Sequence, residues 1–95
     1  MQTIYKYVLY LTDLQSVTMP EGARILSAAL DPSGHMCLWA AVDTNKMYVS
    51  RHIRIVGTGN PSPVDLKECT FIASVVDGPF VWHIFEELIN EKDPQ

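Results

Sequence analysis

The sequence predicts a mainly β protein, a compact antiparallel β-sandwich or barrel-like sheet of about six or seven short strands. Two observations carry that prediction. Turn-forming clusters recur at Met19-Pro20-Glu21-Gly22, Asp31-Pro32-Ser33-Gly34, Asp43-Thr44-Asn45, Gly57-Thr58-Gly59-Asn60-Pro61-Ser62-Pro63 and Asp77-Gly78-Pro79. Each combines residues that accept positive φ, fix φ or hydrogen-bond their own backbone. Between them lie runs of about 6–11 residues rich in Val, Ile, Tyr, Phe and Thr, the spacing of short antiparallel strands.

Period-2 alternation assigns the faces of each run. In Thr3 to Leu11, Tyr5, Tyr7, Leu9 and Leu11 share one side, and Ile4, Lys6, Val8 and Tyr10 the other. Gln15 to Met19 reads as a short strand. Arg24 to Leu30 and Cys69 to Val76 are further strands, apolar on both faces for part of their length. In His35 to Asp43, Met36, Leu38, Ala40 and Val42 make an unbroken core face, with His35, Cys37, Trp39 and Ala41 opposite. In Lys46 to Thr58, Val49, Ile53 and Ile55 point inward with Arg51 near them, while Tyr48, His52, Arg54 and Val56 point outward. The C-terminal segment carries two signals. Val81, Ile84, Phe85, Leu88 and Ile89 fit a helix template, whereas the aromatic and β-branched Phe80 to Phe85 favours a strand. We place a strand to Phe85, a short helical turn within Glu86 to Glu91, and a frayed tail over residues 92–95.

Ninety-five residues make a single small domain, 1–95. Seven Lys and Arg against eleven Asp and Glu give a net charge of −4, which argues against direct nucleic-acid binding or an anionic membrane surface. No apolar run approaches the ~18 residues of a membrane span. The opening Met1-Gln2-Thr3-Ile4-Tyr5-Lys6 lacks the pattern of a secretory signal. Cys37 and Cys69 are too few for a disulfide framework, so a cytoplasmic, reducing setting is the expectation.

The sequence carries few features of catalytic chemistry. His35 and Cys37 share a strand face, yet no paired CxxC or HxxxH spacing accompanies them, so no metal is expected. No elbow or triad motif surrounds either cysteine. The adjacent Glu86 and Glu87 diverge and read as solvated charges. We therefore expect no enzyme, no catalytic residue and no cofactor.

Binding is better supported. Arg54 leads into Gly57-Thr58-Gly59-Asn60, which reads either as a plain turn or as a backbone nest for an anion. It has neither the Lys-Ser/Thr of a P-loop nor the third glycine of a dinucleotide fingerprint. Trp39, Tyr48, His52 and Arg54 come from sequential strands expected to pair, and Trp82 with His83 adds a similar pair. An aromatic surface beside an arginine fork suits a nucleotide-like ligand, and equally a protein interface. The candidate ligand site is therefore Trp39, Arg54, Gly57, Thr58, Gly59, Asn60, Trp82 and His83. So small a domain is expected to work as a homo-oligomer.

Five blocks in this order also carry a resemblance: Ile4-Tyr5-Lys6-Tyr7; Met19-Pro20-Glu21-Gly22-Ala23 with Ile25-Leu26; Cys37-Leu38-Trp39-Ala40 with Val42-Asp43; Ile53-Arg54-Ile55 with Gly57-Thr58-Gly59; and Phe80-Val81-Trp82-His83 with Phe85-Glu86. The pattern resembles a family of small uncharacterised proteins encoded by bacteriophages and prophages. Asn60 stands where that family has His, and the tail from Leu88 to Gln95 extends past its usual end. The resemblance implies a phage accessory protein of the host bacterial cytoplasm that acts by binding, without turnover. Sequestration of a nucleotide-like host immune signal is one expectation. Inhibition of a host defence or regulatory protein is the alternative, and a minor virion or assembly role a third.

Overall fold

The computed structural model describes residues 1–88. Seven strands form in chain order: β1 (Gln2–Val8), β2 (Leu14–Pro20), β3 (Arg24–Leu30), β4 (Met36–Asp43), β5 (Tyr48–Gly57), β6 (Cys69–Asp77) and β7 (Phe80–Glu87). One 3₁₀ turn, Leu66–Glu68, precedes β6. A three-stranded sheet in the order β1-β4-β3 faces a four-stranded sheet in the order β2-β5-β7-β6, every pairing antiparallel. The result is a two-sheet sandwich, not a closed barrel. Among the described residues no helix is long and apolar enough to cross a membrane.

Alternating apolar positions build the shared core. Met36, Leu38, Ala40 and Val42 are all buried from β4, as their spacing requires. Met19 of β2, Ile53 and Ile55 of β5, and Ile84 of β7 meet them from the other sheet. Tyr5, Tyr7 and Leu9 face the same layer, but Leu11 does not, because β1 ends at Val8 and Leu11 lies exposed in the following loop. The two runs that were apolar on both faces each contain an irregularity. Strand register shifts between Ile25 and Ser27 in β3, and between Phe71 and Ala73 in β6. An extra residue reverses the alternation at each bulge, so neither run could show a clean period of two.

Two expectations need correction. The helical turn proposed from Glu86 onward does not form at its start, since Glu86 and Glu87 continue β7. Ion pairing holds them in the ladder: Glu86 binds Arg51 through both carboxylate oxygens, and Glu87 Oε2 accepts from Arg54 Nε at 2.8 Å. Residues 89–91 of that turn, and the tail 92–95, lie outside the described residues. The second correction concerns β4 and β5. They do not pair, because the Thr44–Met47 connection carries the chain from one sheet to the other.

Two polar clusters brace the sandwich. Arg51 enters from the core face, pairs with Glu86, and donates from Nη1 to Ala23 O at 2.8 Å. That ties β5, β7 and the start of β3. Asp31 holds the β3–β4 turn: Oδ1 accepts from Ser33 N and His35 N, both at 2.9 Å, and Oδ2 accepts from Lys6 Nζ at 3.0 Å. The His35 N–H and then the Lys6 ammonium hold the Asp31 carboxyl down at about 2.

The Arg51–Glu86 pair is mostly shielded from water, so removing one partner leaves a poorly solvated charge. Glu86→Gln is expected to destabilise the protein by about 2 kcal/mol in urea unfolding, whereas exposed Asp77→Asn is expected to change little. Asp31 has a folded-state pKa below its unfolded value, so its stabilisation is fully present above about pH 4 and is lost as pH falls toward 2. Asp31→Asn should therefore flatten the stability profile through that window, as read by acid titration followed by circular dichroism.

Candidate functional site

The end of β5 and the start of β7 build the site. Gly57 and Trp82 are cross-strand partners, and both positions face the inner side of their sheet. The indole lies so close over Gly57 that a Cβ there would stand 2.9 Å from Trp82 Cζ3 and 2.7 Å from Asn60 Nδ2. Glycine is thus needed at 57 for close approach. At Gly59 it is needed for a different reason: Asn60 N donates to Gly57 O at 3.0 Å, and Gly59 takes φ 84° at the third position of this turn. Thr58 N donates to Val81 O at 3.2 Å, fixing the turn to β7.

A cleft of about 300 Å³ opens at this end of the sandwich. Arg54, Gly57, Asn60 and Trp82 line it, joined by Leu11, Thr12 and Asp13 from the β1–β2 loop and by Pro61 and Pro63 from the loop after β5. Arg54 is buried, at 6% exposure, and its Nε is committed to Glu87. Among the described residues its guanidinium makes no other hydrogen bond, which leaves its Nη donors for a second acceptor. The Trp82 indole Nε1–H is buried without a hydrogen-bond partner among the described residues. A buried donor of this kind calls for water or a ligand to satisfy it. Phe80 stacks on Trp82 with ring centroids 5.6 Å apart and planes at 20°, and at 57% exposure it lines an adjoining groove with Gly57, Asn60 and Trp82.

The candidate residues divide into three places. Arg54, Gly57, Asn60 and Trp82 meet at the cleft. Gly59 is a turn residue beside it. Thr58 and His83 lie on the outer face of the four-stranded sheet, where His83 Nε2 is 2.7 Å from Thr58 Oγ1 and Nδ1 is 2.7 Å from Ser74 Oγ. Both imidazole nitrogens are thereby engaged between hydroxyls. Trp39 is elsewhere, half-buried on the three-stranded sheet beside its cross-strand partners Lys6 and Ser27. The expected joint exposure of Trp39 and Arg54 on paired strands is therefore incorrect, since the two belong to different sheets and Arg54 is covered.

Several lining residues were missed. Leu11, Thr12 and Asp13 carry no motif and reach the cleft only because their loop crosses between sheets. Glu87, read as a solvated charge, is instead the partner of Arg54. Pro61 and Pro63 carry a usable signal beyond turn punctuation, since they stiffen the loop that walls the cleft.

These features define a two-sheet β domain with a small, mixed-polarity cleft at one end. The chain belongs to the family described as Domain of unknown function (DUF7352), whose model matches residues 1–94. No curated protein and no solved structure matches it.

Because an alanine methyl at 57 would collide with the indole, Gly57→Ala is expected to cost about 1–3 kcal/mol in urea unfolding and to shift the Trp82 emission maximum. Gly34→Ala also costs stability, since φ there is 85°, but its Cβ meets open space and tryptophan emission stays unchanged.

Proposed function

We propose that this protein acts by binding, without turnover, and that its ligand is a small planar molecule carrying an anionic or strongly accepting group, of nucleotide-like chemistry. The observation that carries this reading is the convergence of the Trp82 indole and the Gly57–Asn60 turn on one cleft that also has Arg54 in its wall. An indole face supplies area for a planar ring, and guanidinium N–H groups suit phosphate or carboxylate oxygens. About 300 Å³ is the lower end of ligand-pocket volumes, which matches a ring the size of a nucleobase and leaves larger substituents outside. Asp13 on the wall disfavours a densely charged polyphosphate.

The phage resemblance adds a setting in which such binding would sequester a host signal nucleotide. A protein partner is the second reading, and the exposed Phe80 stacked on Trp82 favours it as an aromatic anchor for docking.

Thermal-shift measurements with a panel of mono-, cyclic and ribosylated nucleotides test the first reading. The expected result is a rise in Tm at millimolar ligand, lost in Trp82→Ala and Arg54→Gln but kept in Trp39→Ala. If no member of the panel raises Tm, or if Trp39→Ala abolishes the shift while Trp82→Ala does not, the cleft is not the site.

A further inference from the structure

We infer that β1 is a homodimerisation edge, pairing antiparallel with β1 of a second copy. This is independent of the cleft and rests on where backbone groups point. Leu9 N donates to Met36 O and Thr44 N donates to Met1 O, both at 2.8 Å. In an antiparallel ladder the direction alternates, so Thr3, Tyr5 and Tyr7 turn their backbone groups to β4. Gln2, Ile4, Lys6 and Val8 turn theirs outward, and among the described residues nothing pairs with them. That leaves a row of donors and acceptors about 20 Å long.

The other three edges are protected. Strands β3 and β6 face each other across the sandwich, and each carries a bulge. Strand β2 ends in Pro20, which has no N–H, and at its other end Gln15 folds back onto Tyr10 through Oε1 and Nε2. Strand β1 has no proline and no bulge against β4. Its one charged residue, Lys6, is paired with Asp31. Ile4 and Val8 stand beside this edge at 58% and 53% exposure.

Charge and register select the geometry. The outward groups require even-numbered residues to face even-numbered ones. A twofold axis at Lys6 would set like charges opposite each other, which is unfavourable. An axis at Tyr5 places Ile4 opposite Lys6 of the copy and Gln2 opposite Val8, uses all four outward residues on each chain, and brings the two Tyr5 rings together. The β1 edge also carries none of the negative excess that gives the chain its −4, so self-association here meets no acidic repulsion. The three-stranded sheets then join into one continuous sheet across the dimer.

Light scattering after gel filtration, at about 100 µM chain, should give twice the 10.7 kDa of one chain. Ile4→Pro removes only an outward N–H, so it should yield a monomer with an unchanged circular dichroism spectrum. Ile4→Glu places a carboxylate opposite Lys6 twice per dimer and should tighten association, while Ile4→Lys should weaken it, each by about twofold to thirtyfold in Kd. This opposed pair decides the question even if the proline variant unfolds. A monomer at all concentrations up to about 1 mM overturns the proposal. So does a dimer indifferent to Ile4→Pro, or one in which Glu and Lys at position 4 act in the same direction.

Discussion

A single layer of inward side chains holds this protein together, and both sheets depend on it. Met19, Leu38, Ile53 and Ile84 are fully enclosed, and they come from β2, β4, β5 and β7, so neither sheet could bury its apolar face alone. The chain enforces this by crossing from sheet to sheet between β1 and β2, β2 and β3, and β4 and β5. Only β3–β4 and β6–β7 are pairs of sequence neighbours that also share a ladder. The end cleft follows from the same plan. The inner side of the β5–β7 ladder continues past the core to Gly57 and Trp82, where loops rather than strands form the remaining walls.

Strand faces were legible in the sequence wherever alternation was clean. The β4 pattern of Met36, Leu38, Ala40 and Val42 placed its core face correctly, and Ile53 and Ile55 did the same for β5. Alternation failed where physics broke it, at the bulges around Leu26 and Ile72. What periodicity cannot encode is which strand lies beside which. Four residues, Thr44–Met47, suffice for a hairpin or for a crossing, and proximity in sequence favoured the hairpin. That choice put Trp39 next to Arg54 when the two belong on different sheets.

The candidate site was legible in part, for local reasons. Gly57 and Asn60 are near in sequence and hydrogen-bonded through their turn, so their association survived any error of topology. Trp82 joins them through a cross-strand pair that only the β5–β7 ladder could reveal. Arg54 stood on the expected outward side of its strand, yet it is covered, because Glu87 completes an ion pair with it. In a helical turn Glu87 could not reach that partner, whereas as the end of β7 it does. Misplacing one carboxylate therefore changed the apparent chemistry of the arginine from an open fork to a half-committed one.

The proposed binding requires Trp82 to be the indole that meets the ligand. The chain has two tryptophans, Trp39 and Trp82, so a nitrogen–proton correlation spectrum contains two indole resonances, one on each sheet. Titration of a nucleotide should move the Trp82 indole signal together with the Gly57 and Asn60 amides, and leave the Trp39 signal in place. Movement of Trp39 with its neighbours Lys6 and Ser27, while Trp82 stays still, would contradict the account.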